Sequence, residues 1–143
     1  MMDAPGRVMG IDYGDRRVGL AVSDPLRVIA RGAGTLENST DLPERIAEVV
    51  RNEGVVLIVV GMPYAPDGGL GAKGEAVTRF VTVLRTVVPV PVETWDESFT
   101  TVGAQRAFID GGMKKKLRRE KGRVDEMAAR LLLQEYLEST THR

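Results

Sequence analysis

The 143-residue sequence contains no cysteine and a single histidine, His142. Disulfide bonds, thiolate zinc sites and cysteine or Ser-His-Asp catalysis are therefore excluded. No apolar run approaches the roughly 20 residues that span a bilayer. The first residues, Met1–Gly6, also lack the basic and apolar regions of a signal peptide. We expect a cytoplasmic chain that does not associate with membranes.

Neither sign of charge is in excess, since 20 basic residues face 20 acidic ones. This balance argues against a protein that coats nucleic acid through bulk charge. The overall balance hides a local excess of positive charge, because residues 111–123 (GGMKKKLRREKGR) contain seven basic side chains and one glutamate. Glycines 111, 112 and 122 bound this run and favour flexibility. The run is interpreted either as a solvated loop or as a contact for nucleic acid.

The apolar fraction of 43% and the length are typical of one globular domain, spanning residues 1–143. Periodicity and turn residues predict alternating elements along this domain. Strands are predicted at 7–13, 17–23, 27–36, 55–60 and 92–95, helices at 42–52, 75–87, 101–109 and 124–137, and a glycine- and proline-rich loop at 61–74.

Three strands before the first helix indicate an antiparallel meander, and the later strand–helix alternation indicates right-handed crossovers to parallel strands. The predicted fold class is therefore α/β, with a mixed five-stranded sheet flanked by helices. In this fold, the carboxyl ends of parallel strands are the places where ligands bind.

Asp12 is the first candidate site residue, because it interrupts a strand that is otherwise suited to a core. Val8, Gly10 and Asp12 share one face of this strand, since side chains alternate along a strand. Gly10 and Gly14 are expected to leave room beside the carboxylate. The alternative is that Asp12 binds local amides in a turn.

Glu97 and Asp125 are the other two candidates. Glu97 follows a buried-looking strand, at the end of the sheet where ligands are expected. Asp125 lies on the stripe of the last helix that contains Ala128 and predicts contact with the core. Every fourth residue is expected on the solvent side: Glu126, Arg130, Gln134 and Glu138. A surface acid and an ordinary first-turn carboxylate are the alternatives. Together with Asp12, however, the two acids form a set of oxygen ligands that suits Mg²⁺ or Mn²⁺.

Residues 69–74 (GLGAKG) match the G-x-G-x-x-G pattern of dinucleotide-binding proteins. The context differs, because eight residues separate this segment from the strand that it should follow directly. The segment is interpreted as a flexible loop that could face the substrate.

Four segments carry a resemblance to a known family. They are GIDYGDRRVGLAVSD (10–24), VGMP (60–63), DESFTT (96–101), and VDEMAA with LQEYL (124–129 and 133–137). The chain resembles the YqgF/RuvX family of RNase H-like proteins, which are described as nucleases for the small-subunit ribosomal RNA precursor and as similar to Holliday junction resolvases.

This resemblance implies an RNase H-like fold and a metal-dependent nuclease with Asp12, Glu97 and Asp125 as catalytic residues and as ligands of Mg²⁺ or Mn²⁺. The implied substrates are precursor 16S rRNA and branched or single-stranded DNA, with the ribosome as a further partner and either a monomer or a homodimer as the working form. The expected nucleic-acid contacts are Arg17, Thr100, Thr101, Lys114, Lys115, Lys116, Arg118, Arg119, Lys121 and Arg123.

One residue departs from the family pattern, because Ser98 stands where an arginine usually follows the Asp-Glu pair. Loss of a guanidinium could weaken phosphate binding. Two other functions therefore stay open: a nucleic-acid or ribosome-binding module with weakened catalysis, and a related ATPase, which would need a second lobe to enclose its nucleotide.

Overall fold

The computed structural model describes residues 4–97 and 121–141. These residues form one sheet and three helices. The strands are β1 (Arg7–Tyr13), β2 (Arg17–Ser23), β3 (Ala30–Glu37), β4 (Val55–Met62) and β5 (Val92–Asp96), and the helices are α1 (Leu42–Glu53), α2 (Ala72–Val87) and α3 (Lys121–Thr141).

The strands lie in the order β3-β2-β1-β4-β5. The first three are antiparallel neighbours, whereas β4 runs parallel to both β1 and β5. The predicted meander followed by parallel strands is thus confirmed. Because β1 and β4 are both central, their carboxyl ends lie side by side in the middle of the sheet.

Alternating side chains place a separate core on each face of the sheet. Met9 and Ile11 of β1 point toward α1 and α2 and are fully buried. Val8 points to the opposite face, where it packs with Ala129 and Leu133 of α3. Among the described residues, no helix combines the length and apolarity needed to cross a membrane.

The first two strands begin and end as predicted, but β3 begins at Ala30, so the predicted start at residue 27 is wrong. The carboxylate of Asp24 accepts hydrogen bonds from the amides of Val28 and Ile29, both at 2.8 Å. Arg27 adopts a left-handed conformation with φ 60°. These local contacts fold the segment into a turn. The hydrogen bond from Ile29, followed by those from Val28 and Leu26, lowers the pKa of Asp24.

Further element bounds differ from the prediction. The helix α2 begins at Ala72, so residues 72–74 are helical and do not belong to the predicted loop. Gly61 and Met62 belong to β4 and not to the following loop, because they pair with Trp95 and Asp96 of β5. Residues 121–123 belong to α3 and not to the basic loop, so Gly122 lies in a helix. One glycine costs a helix only about 1 kcal/mol, and its lysine and arginine neighbours favour helix. The helix predicted at 101–109 lies outside the described residues.

Candidate active site

Asp12 lies between two glycines on neighbouring strands. On one side it pairs with Gly19 of β2. On the other side, Ile11 pairs with Val60 of β4, so the next residues along the two parallel strands, Asp12 and Gly61, lie side by side. Asp12 itself is 5% exposed. Asp12 is therefore a buried acid that has no side chain beside it on either neighbouring strand.

The backbone of Asp125 occupies the space above Gly19. A Cβ atom at Gly19 would collide with the carbonyl oxygen of Asp125 and would lie 3.0 Å from the nitrogen of Glu126. Only glycine allows α3 to approach β2 this closely. The close approach fixes the backbone of Asp125 beside the strand position that faces Asp12.

The carboxylate of Glu97 occupies the corresponding space above Gly61. A Cβ atom at Gly61 would lie 2.5 Å from Oε2 of Glu97 and 3.0 Å from Cδ1 of Leu132. Glu97 directly follows β5 and is 9% exposed. Asp12 and Glu97 are thus two buried acids delivered by strand ends to adjacent positions, and α3 covers both.

Arg17 contacts the third acid. Its Nε atom lies 3.4 Å from Oδ2 of Asp125, and the side chains are 32% and 16% exposed. Arg17 is the first residue of β2 and lies two positions before Gly19, so the two residues share the α3 face. The contact joins the start of β2 to the first half of α3.

The three acids suit a hard divalent cation by their chemistry, because carboxylate oxygens are the ligands that Mg²⁺ and Mn²⁺ prefer. Within residues 4–97 and 121–141, no three acidic or histidine side chains already form a metal cage. Asp12 and Glu97 lie over adjacent strands, whereas the Asp125 carboxylate is directed toward Arg17. A cation that used all three acids would either share the Asp125 carboxylate with Arg17 or displace Arg17 from it.

The glycines expected to make room for Asp12 have other roles. At Gly10, a Cβ atom would lie 2.8 Å from Cβ of Leu133, so this glycine accommodates α3. Gly14 lies close to the carbonyl oxygen of Arg17, within the hairpin. Gly19 and Gly61 make the space around the acids and were missed, although both lie in the segments that carry the family resemblance. Their role depends on strand order, which local periodicity does not reveal.

Two of the four side chains expected on the solvent side of α3 instead contact the edge strand β3, so the prediction is wrong for Glu126 and Gln134. It is confirmed for Arg130 and Glu138, which are exposed. Oε2 of Glu126 accepts a hydrogen bond from the amide of Gly34 at 2.5 Å. Oε1 of Gln134 accepts one from the amide of Ala30 at 2.8 Å. The polar face of α3 lies over the sheet edge, where the backbone supplies partners for polar side chains.

Most of the expected nucleic-acid contacts lie outside the described residues. Lys121 and Arg123 fall in the first turn of α3, and Arg17 lies at the candidate site. The contacts outside the described residues are Thr100, Thr101, Lys114, Lys115, Lys116, Arg118 and Arg119.

The model of the RuvX family, described as Holliday junction resolvase, matches residues 6–139. The chain belongs to the RuvX family. A relative from Roseiflexus sp. is 41% identical over 142 residues, covering 97% of this chain and 99% of its own length. Another from Acetivibrio thermocellus is 42% identical over 137 residues, covering 93% and 96%. Both are named as pre-16S rRNA nucleases, so this RuvX chain is a member of a family of nucleases.

Solved structures confirm the predicted RNase H-like architecture. RuvC of T. thermophilus in complex with a Holliday junction substrate has a TM-score of 0.55 at 17% identity, with 95% of this chain and 96% of that chain covered. The fowlpox virus resolvase, in complex with Holliday junction DNA, has a TM-score of 0.54 at 12% identity, with 94% and 98% covered. At these identities the likeness establishes the fold.

Proposed function

We propose that this RuvX protein is a divalent-metal-dependent nuclease that hydrolyses phosphodiester bonds in nucleic acid at Asp12, Glu97 and Asp125. The observation that carries the proposal is the arrangement of the buried Asp12 and Glu97 around Gly61, with the backbone of Asp125 above Gly19. Buried carboxylates are costly in a fold and are retained where they have a function. The family membership supports the reaction class.

Asp12 and Glu97 would hold Mg²⁺ or Mn²⁺, and Asp125 would complete the ligand set. Such an ion, when bound, activates water and stabilises the charge that develops on the phosphate oxygens. The chain's own contribution is position: the two strand ends fix the acids, α3 excludes water from one side, and Arg17 supplies a positive charge at the rim. Guanidinium groups bind phosphate with defined geometry.

Precursor 16S rRNA is the proposed substrate, and branched DNA is the second candidate. The ranking rests on similarity, since relatives about 40% identical are named for the RNA reaction, whereas the DNA-bound structures share less than 20% identity. Work on precursor rRNA would take place in the cytoplasm and would bring the chain near the ribosome. Both a monomer and a homodimer are compatible with this proposal.

A binding module with weakened catalysis is the alternative. Ser98, in place of the usual family arginine, favours it, because one phosphate-binding group is absent from the Asp-Glu segment. The related ATPase is disfavoured, since the RuvX family model matches residues 6–139 and the relatives are named as nucleases.

The Asp12→Asn variant tests the proposal. It removes a metal ligand but preserves side-chain volume, so Mg²⁺- or Mn²⁺-dependent cleavage should be lost while the fold is retained. Cleavage is measured on precursor 16S rRNA, a Holliday junction and single-stranded DNA. Asp15→Asn is the matched control, because Asp15 is an exposed residue of the β1–β2 turn and should keep wild-type rates.

Thermal melting without metal gives a second measurement on the same variant. Stability should stay level or increase, because the change removes charge from a crowded set of carboxylates. Equal cleavage by the wild type and Asp12→Asn would disprove the site. A large drop in melting temperature would show that Asp12 is structural, and binding without cleavage by the wild type would favour the binding module.

A further inference from the structure

Arg17 and a bound cation would both need the carboxylate of Asp125. The ion pair joins Nε of Arg17 to Oδ2 of Asp125 and spans 108 residues of the sequence. The backbone of Asp125 is held in place by its close approach to Gly19. Rotation of the side chain is therefore the main freedom left to this acid, and Arg17 restrains that rotation.

The contact is of a kind that a metal ion can replace. It joins one guanidinium nitrogen to one carboxylate oxygen at 3.4 Å, a long distance for a charged pair, and Arg17 is 32% exposed. Single, partly exposed ion pairs contribute little to stability, whereas short, two-pronged pairs contribute more. The contact with Arg17 thus helps to orient Asp125 before the cation arrives and contributes little stability of its own.

We propose that Arg17 is a positioning residue that holds the carboxylate of Asp125 in the metal-free protein and competes with the divalent cation for it. The inference rests on the proposed metal-dependent function. When the cation takes Asp125, the guanidinium is released at the rim of the site, where a substrate phosphate can replace the lost carboxylate. Arg17 then has an anionic partner in both states.

Competition between Arg17 and the cation determines whether replacing Arg17 raises or lowers the apparent metal affinity. A residue that merely supports the fold would weaken metal binding when it is replaced. A competing cation, in contrast, lowers the apparent metal affinity, so its removal should increase that affinity. Arg17→Gln should therefore bind Mn²⁺ about fivefold more tightly, a factor in the range of a partly exposed ion pair. Arg17→Lys keeps the charge and should stay close to the wild type.

Mn²⁺ alone is the probe, and the free ion is counted by electron paramagnetic resonance, so no substrate or cleavage is needed. Arg31→Gln is the matched control, because Arg31 pairs with Glu53 between β3 and α1, away from the acids. Its Mn²⁺ affinity should equal that of the wild type. In the Asp125→Asn background, Arg17→Gln should lose its effect, because the shared carboxylate is absent.

The outcomes separate this inference from the proposed function. If the wild type binds no Mn²⁺, or if Asp12→Asn binds it equally well, the proposed metal site fails and the competition fails with it. If Asp12→Asn loses Mn²⁺ while Arg17→Gln binds it no more tightly than the wild type, the competition alone is wrong. An equal gain in the Asp125→Asn background would also overturn it, since general charge repulsion would then explain the effect.

Discussion

Gly19 and Gly61 have different neighbours, so the same added methyl group should have different effects at the two positions. At Gly61 the methyl group would meet the end of the Glu97 side chain, which can rotate away. At Gly19 it would meet the backbone of Asp125, which cannot move unless α3 moves. The contact at Gly61 therefore affects the position of the Glu97 carboxylate, whereas the contact at Gly19 affects the docking of α3.

We predict that Gly61→Ala reduces cleavage and Mn²⁺ affinity because it displaces the Glu97 carboxylate, with a loss of unfolding free energy below about 1 kcal/mol. Gly19→Ala should instead lower the unfolding free energy by about 1–3 kcal/mol, the usual range for overpacking. Chemical denaturation and cleavage rates, measured on both variants, test whether Gly61→Ala mainly affects activity and Gly19→Ala mainly affects stability.

Gly71→Ala is the control for both substitutions, because nothing lies within 4 Å of a Cβ atom at Gly71 and its φ of −84° suits any residue. As Gly71 is the N-cap of α2, a change of about 0.5 kcal/mol is expected. Full activity in Gly61→Ala would mean that the carboxylate of Glu97 does not take part in the reaction.

At the level of elements, α3 protects the edge of the sheet. The strand β3 is an edge strand, and such strands expose backbone groups that can pair with another chain. Glu126 and Gln134 of α3 accept hydrogen bonds from two amides of this strand. Gln134 also donates to the carbonyl oxygen of Val28 in the preceding turn, at 3.1 Å. The helix thus contacts both the face and the edge of the sheet.

We predict that Gln134→Ala lowers the unfolding free energy by about 1–2 kcal/mol, because the amide of Ala30 loses its acceptor. Hydrogen exchange at Ala30 should become faster, which mass spectrometry or NMR can measure. Arg130→Ala, at an exposed position one turn earlier on α3, should change neither quantity. Unchanged exchange at Ala30 in Gln134→Ala would show that this hydrogen bond does not protect the edge.

The sequence predicted the elements best where their causes are local. The alternation and turn residues of β1 and β2 lie within the strands themselves, and both strands have the predicted bounds. The start of β3 was wrong because Asp24 binds amides four and five residues later. The predicted positions of Glu126 and Gln134 were wrong because periodicity identifies the polar face of a helix without showing what lies opposite that face.

The candidate site could be predicted in part for the same reason. Asp12, Glu97 and Asp125 each stand out from their own element, as an acid in a core strand, at a strand end or on an inward helix face. The roles of Gly19 and Gly61, which make room for Asp125 and Glu97, depend on which strands become neighbours. The ion pair of Arg17 with Asp125 depends on a contact across 108 residues, which no local pattern contains.

At the level of the whole molecule, basic charge is concentrated in residues 111–123, which lead into the first turn of the helix that carries Asp125. Changing Lys114, Lys115 and Lys116 together to alanine should weaken nucleic-acid binding across all sequences, because phosphate contacts carry no sequence information. The slope of log affinity against log salt should decrease by about 2–3. Fluorescence anisotropy at several salt concentrations measures both effects.

A triple variant with the same change of charge is the control. Arg51 of α1 and Lys73 and Arg79 of α2 are exposed and belong to the helices on the sheet face away from α3. Their replacement by alanine should leave the salt slope nearly unchanged. If the lysine variant and this control show the same slope as the wild type, the basic run is a solvated loop.

The close approach of α3 to Gly19 also sets an order in time. During synthesis the ribosome releases all five strands before α3, so the sheet can form before α3 is available to cover the face that carries Asp12. The third acid and its arginine partner come together only when the last helix docks. The three acids of the proposed site are therefore brought together only after α3 has been synthesised.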